Sequence, residues 1–270
     1  MTTEFDGKAP PLSYVTIVRH VLSIDEDNPA AGLSSAATRL FGWRLARNQR
    51  TLRSCVDTLG KRGALVLIAP SGAGKTTELK QLSQRLRAEG QHAVFAEATG
   101  LVAPQGVDLD NDERLALARL VEAQSGVFVV DGVDELRLQH ASLPTLFRRL
   151  RQAVDFSSSE VRLVFSARNG AWSNLASQQL ANQLKALSSD EPLRVRFDRL
   201  SPEAIRALAR AYGAPDVEAF MTEFEDEEFD DLIADLRPVD IKRFVRLRHA
   251  SGSLGNWSRV ARDHVESVFL

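Results

Sequence analysis

Cysteine is almost missing from this chain of 270 residues: Cys55 stands alone. That excludes an internal disulfide and fits a reducing compartment, with Cys55 read as a small packed residue rather than a reactive thiol. No apolar run approaches the roughly 18 residues of a membrane span. The opening stretch Met1–Lys8 lacks the charge-then-apolar pattern of a secretory leader. These absences lead us to expect a cytoplasmic protein without a membrane partner. An excess of one charge is also absent, with 34 Lys and Arg against 36 Asp and Glu and a net charge of −2. Bulk electrostatics therefore give no direct nucleic-acid signal. Lysine is confined to Lys8, Lys61, Lys75, Lys80, Lys185 and Lys242, so arginine supplies most of the basic charge. The clusters Arg148-Arg149-Arg151 and Arg194-Arg196-Arg199 read as solvated faces, with binding of phosphate or a partner as the alternative. The five histidines (His20, His92, His140, His249 and His264) are scattered, with no metal-site spacing. Internal repeats and extended low-complexity segments are missing too.

What is present is a chain that can fold. At 44% hydrophobic and 26% charged it has the composition of a globular protein. Short apolar runs at His92–Ala96, Val127–Val130, Val161–Ser166 and Leu193–Phe197 alternate with helical patterns at 77–89, 112–123, 143–154 and 176–187. Strands alternating with helices predict an α/β fold with a parallel sheet. Thr99 to Gly106 reads as a loop. Before the first core strand, Tyr14–Val18 offers a strand and Ser34 to Leu59 a helical pattern. In that pattern Leu40, Trp43, Leu45, Leu52, Val56 and Leu59 are the candidate buried positions. After Ser201-Pro202-Glu203, a helix start with serine as cap, no further strand pattern follows. The expected organisation is a mostly helical lead-in over 1–59, a core over 60–200 and a helical lid over 201–270.

The stretch Ala64–Thr77 carries the first chemistry. Ala64-Leu-Val-Leu-Ile68 reads as a buried strand, Thr76 to Leu82 opens a helix, and Ala69, Pro70, Ser71, Gly72, Ala73 and Gly74 form the turn between them. Strand, small-residue loop and helix is the order in which backbone N–H groups and a helix N-terminus converge on a polyphosphate. The run approaches G-x-x-x-x-G-K-[ST], the Walker A pattern, with Ala69 in the first position in place of glycine. Lys75 is placed to reach the β- and γ-phosphates, Thr76 to offer a hydroxyl to Mg²⁺, and Thr77 to follow in the first helical turn.

The second motif is Asp131-Gly132-Val133-Asp134-Glu135, at the end of an apolar strand. An acid there, downstream of a phosphate loop, supports a hydrated Mg²⁺ in the manner of a Walker B motif, and we assign that role to Asp131. Asp134 and Glu135 are the candidates for polarising an attacking water, with the choice between them open.

Together the two motifs resemble the NACHT-type members of the STAND class of signalling NTPases. In that family the second motif has a small residue after the first Asp, and two acids at the third and fourth positions beyond it. Ser166-Ala167-Arg168 is similar to the family's Thr-Ser-Arg sensor, which implies that Arg168 reports on the γ-phosphate. Ser166 and Ala167 depart from the pattern, and Asn169 stands where a proline is usual. Leu236-Arg-Pro238-Val-Asp-Ile-Lys-Arg-Phe244 resembles the lid segment whose proline packs near the base. Read without the family, Pro238 is a helix-start proline.

The resemblance spans about residues 60–250. It implies a parallel-sheet phosphate-loop core of the ASCE type with a C-terminal all-helical lid. It also implies ATP or ADP with Mg²⁺ as ligands, slow ATPase turnover, and a switch that acts through protein partners or a homo-oligomer in signalling or antiviral defence. Two alternatives remain: a nucleotide-bound interaction module without turnover, and an AAA+-like ATPase, although the latter normally has Glu directly after the first Asp, where Gly132 stands. A GTPase is disfavoured because no Asn-Lys-x-Asp guanine reader is present.

Overall fold

Four runs of β-branched and aliphatic residues, apolar at successive positions, need cover on both sides and so build a sheet between two helical layers, while a fifth, Leu193–Phe197, alternates apolar residues with arginines. The computed structural model describes residues 19–23, 50–104, 107–139, 142–168, 182–188, 192–224 and 236–251. The described residues fall into two compact units, one spanning His20–Asp198 and the other made of Arg19 and the residues from Arg199 onward.

The first unit runs β1 (His20–Ser23), β2 (Arg50–Thr51), α1 (Leu52–Thr58), β3 (Ala64–Ile68), α2 (Lys75–Ala88), β4 (Ala93–Glu97), α3 (Ala98–Leu101), α4 (Asn111–Ala123), β5 (Ser125–Asp131), a 3₁₀ helix (Val133–Gln139), α5 (Leu143–Ala153), β6 (Glu160–Ala167) and β7 (Leu193–Phe197). The sheet has seven strands in the order β2-β1-β7-β3-β6-β5-β4. From β7 to β4 every pairing is parallel. β1 joins antiparallel to β7, and β2 antiparallel to β1. The five parallel strands thus stand, in chain order, as fifth, first, fourth, third and second. β6 separates the strand before the phosphate loop from the strand ending in Asp131. This is the arrangement of an ASCE-type phosphate-loop core, as expected.

The register of β3 shows the two-sided burial. Ala64, Val66 and Ile68 face a layer with Leu120 of α4 and Leu146, Phe147 and Leu150 of α5. Leu65 and Leu67 face Leu79, Leu82 and Leu86 of α2 and Leu52, Cys55 and Val56 of α1. Each such leucine contributes roughly 1.5–3 kcal/mol relative to an exposed one. Cys55 is buried in this layer, in keeping with a packing role.

The N-terminal segment differs from expectation. The helical pattern from Ser34 predicts helix through Arg50 and Thr51, yet these two residues pair with β1. Thr51 ends the extended run by capping α1, its Oγ1 accepting from the Ser54 N–H at 3.1 Å. Leu40, Trp43, Leu45 and Tyr14–Val18 lie outside the described residues, and β1 at His20–Ser23 was not expected. The loop predicted over 99–106 begins inside α3. There the Asp108 N–H bonds back to the Gly100 carbonyl at 2.9 Å, which holds a helical turn too short to show periodicity.

The second unit contains α6 (Pro202–Ala211), α7 (Val217–Phe224) and α8 (Pro238–Ser251), and no strand among the described residues. Ile205, Leu208, Ala209, Phe220, Met221, Ile241, Phe244 and Val245 form its core. Ser201 caps α6, accepting from the Ala204 N–H at 3.2 Å. Asp240 reaches back to the Arg237 N–H at 3.1 Å and to its Nε at 2.7 Å, closing the start of α8. No described helix is long and apolar enough to cross a membrane.

Candidate functional site

Along the C-terminal ends of the parallel strands the structure gathers most of the residues singled out in the sequence. Ala69, buried at the end of β3, donates its N–H to the Ala167 carbonyl at 3.1 Å and so ties the loop to β6. Pro70, Ser71 and Gly72 are exposed, and Ala73 is buried. The chain turns into α2 through Gly72 at φ 76° and Gly74 at φ 87°, left-handed angles that a side chain would oppose. Gly74 is the N-cap of α2 and has no side-chain capping bond. The first-turn amides of a fourteen-residue helix therefore open on the loop with the positive end of its dipole.

Lys75 curls back over this loop. Its Nζ donates to the Ala69 carbonyl at 2.7 Å and to the Pro70 carbonyl at 3.0 Å. Burial pushes the ammonium below the ordinary lysine value, and Asp134 and Asp131 oppose that shift. The lysine thus stands within the field of both acids. Thr76 and Thr77 are exposed on the first turn of α2.

Asp131 ends β5 only 7% exposed. One carboxylate oxygen, Oδ2, accepts from the Thr76 hydroxyl at 2.5 Å, and the other, Oδ1, accepts from the Ser166 hydroxyl. Ser166, fully buried in β6, also accepts from the Gly132 N–H at 2.9 Å. In the sequence Ser166 is only a departure from Thr-Ser-Arg. Its signal there is a hydroxyl within Val164-Phe165-Ser166-Ala167, an otherwise apolar strand end where a polar group must find partners.

After Gly132 the chain enters the 3₁₀ helix that carries Asp134 and Glu135. Arg168, one residue beyond β6, grips both. Asp134 accepts from the Arg168 backbone N–H at 3.1 Å and pairs with its Nε at 3.0 Å, while Glu135 accepts from the guanidinium at 2.9 Å. The Asp134 side chain is 6% exposed and that of Glu135 46%. The two acids therefore differ: Asp134 is buried and held twice, whereas Glu135 is open to solvent and held once.

Thr76 and Asp131 bring a hydroxyl and a carboxylate oxygen to one point. Among the described residues no group of three or more His, Cys, Asp or Glu side chains is set to hold a metal. Two hard oxygens without a full protein cage suit Mg²⁺, which keeps waters and shares ligands with phosphate. Pro238 belongs to the second unit, where it is the first residue of α8, as a helix-start proline would be.

No family model matches the chain, and no curated protein matches it. Among solved structures it is similar to a DNA replication initiation factor (TM-score 0.45, 13% identity, covering 85% of this chain and 66% of that one). It is also similar to the replication initiator DnaA bound to AMPPCP and single-stranded DNA (0.40, 13%, 78% and 62%). A third is domain III of the DnaA protein from Thermotoga maritima (0.42, 13%, 82% and 88%). The chain thus spans 62% and 66% of the first two. At these scores the likeness carries no functional argument, and the fold class rests on the strand order.

Proposed function

We propose that this protein is an ATP-binding molecular switch of the NACHT/STAND type that hydrolyses ATP slowly. The observation that carries the reading is the convergence of Lys75, Thr76 and Asp131 at a glycine-turned loop, with Arg168, Asp134 and Glu135 beside them. The loop amides and Lys75 bind and orient the phosphates of ATP or ADP. Thr76 and Asp131 would hold Mg²⁺, which when bound would neutralise phosphate charge. Glu135, the more exposed acid, accepts a proton from the attacking water, while Asp134 keeps Arg168 in position. Arg168 reports on the γ-phosphate; a role for Pro238 toward the base comes with the family resemblance alone.

The role in signalling or antiviral defence, the cytoplasmic setting and the protein partners or homo-oligomer come with the family resemblance. The AAA+-like alternative shares the strand order and the loop, and it differs at Gly132. A binding module without turnover is favoured by one observation, the engagement of both acids by Arg168.

Calorimetry with MgATP and MgADP, joined to radiolabelled phosphate release, tests the reading. Micromolar binding with slow release that depends on Glu135 is expected for the switch. Binding without release selects the module, and absence of binding overturns both.

A further inference from the structure

Among the residues given no role above, one buried side chain is wired directly into the metal-side acid. Ser166 uses its single proton on Asp131 Oδ1 and accepts the Gly132 N–H at 2.9 Å. It is 0% exposed, so water does not substitute for either partner. Asp131 Oδ2 is thereby left to face Thr76. A carboxylate on a strand end would otherwise rotate about χ2, a broad two-fold torsion.

Resting on the nucleotide-binding reading above, we propose that Ser166 is a positioning residue for Asp131. It fixes the rotation of the carboxylate so that one oxygen, together with the Thr76 hydroxyl, is presented to Mg²⁺ on the bound nucleotide. The same hydroxyl anchors the Gly132 amide, where β5 gives way to the turn bearing Asp134 and Glu135. Outer partners of this kind typically contribute tenfold to a hundredfold to metal affinity.

The test is Mn²⁺ titration by electron paramagnetic resonance at saturating ADP, set beside calorimetry of ADP in EDTA. Ser166→Ala is expected to weaken Mn²⁺ about tenfold to a hundredfold while leaving metal-free ADP affinity within about twofold of the parent. Ser166→Thr, which keeps the hydroxyl, should restore the Mn²⁺ affinity even where its added methyl lowers the melting temperature. If Ser166→Ala fails to fold, Ser166→Cys enters the same comparison, its thiol being a similar shape and a weak donor. Parent-like Mn²⁺ affinity in the Ala or Cys variant overturns the proposal, as does an equal loss with and without metal. Asp131→Asn separates the two levels of inference. If it loses the metal-dependent binding while Ser166→Ala does not, only the role of Ser166 falls. If the parent protein binds no ADP under either condition, the nucleotide reading itself falls and this proposal with it.

Discussion

Lys75, Glu135 and Asp134 share one electrostatic neighbourhood and place different demands on it. The Lys75 ammonium is held by two loop carbonyls rather than by packing, so its removal deletes charge at the loop without opening the core. Lys75→Ala is expected to abolish ATP binding in calorimetry with Mg²⁺ while the circular dichroism and the melting temperature stay near the parent values. Unchanged affinity would remove the phosphate-loop assignment. Glu135 and Asp134 separate by environment. Glu135→Gln keeps the shape of a half-exposed side chain, so it should retain ATP binding and slow turnover by about 10²–10⁴. Asp134→Asn leaves an oxygen for the Arg168 N–H but removes the charge facing its Nε, and should lower stability by about 1 kcal/mol in denaturant titration. A defect in hydrolysis alone for Asp134→Asn would exchange the two roles.

At the scale of the element, the outer edge of the sheet shows how a polar side chain finishes what the apolar pattern begins. Among the described residues β4 is the last strand on its side, and no described neighbouring strand receives its Phe95 N–H. Glu113 of α4 receives it at 2.8 Å and binds Arg87 of α2 at 2.6 Å with its other oxygen. Glu113→Ala should cost about 1–3 kcal/mol and leave an edge open to pairing, read as a lower denaturant midpoint with rising light scattering. A second element-scale test lies at the start of β5. Gly126 has φ 144°, and an added Cβ would stand 2.2 Å from the His92 carbonyl, the acceptor of the Val127 N–H. Gly126→Ala must push the backbone apart and should cost at least about 2 kcal/mol in the same titration.

The contrast between what was and was not legible in the sequence follows from the same elements. β3, β4, β5 and β6 are legible because burial on both faces leaves continuous apolar runs, β7 because its apolar residues alternate with arginines, and α2, α4 and α5 because their buried positions repeat at helical spacing. Arg50–Thr51 and His20–Ser23 are too short for a period to show, and their pairing depends on residues far along the chain, such as Phe197. In the site, Gly74-Lys75-Thr76 and Asp131 are local patterns and were readable. The clamp of Ser166 on Asp131 joins residues 35 apart in sequence, and the grip of Arg168 on Asp134 and Glu135 joins two strand ends. Such pairings exist only once β6 lies beside β5.

For the whole molecule, the question is whether the nucleotide changes the helical unit that begins at Arg199. A ligand shifts an equilibrium between two arrangements only through its difference in affinity for them. ATP and ADP differ by the γ-phosphate, and the cation we propose to register that difference is Arg168. Its guanidinium is shared between Asp134 and Glu135, so a γ-phosphate oxygen competes with two carboxylates for it. That competition sets the size of the response. A shift from 1:99 to 99:1 would require about 5.5 kcal/mol of differential binding. One charge-assisted contact offers about 1.5–3 kcal/mol before the loss of the carboxylate bonds is counted. The expected response is therefore a graded change in populations rather than a complete conversion. Limited trypsin digestion should cut after Arg199 at rates that differ severalfold between the ATP-analogue and ADP complexes, with a smaller difference near Gly213, the turn between α6 and α7. Arg168→Ala should erase the difference while ADP affinity is retained, because ADP lacks the group that Arg168 is proposed to read. Equal rates in the two complexes of the parent protein would leave a nucleotide-binding domain without a switch. A difference that survives Arg168→Ala would place the sensor on another residue.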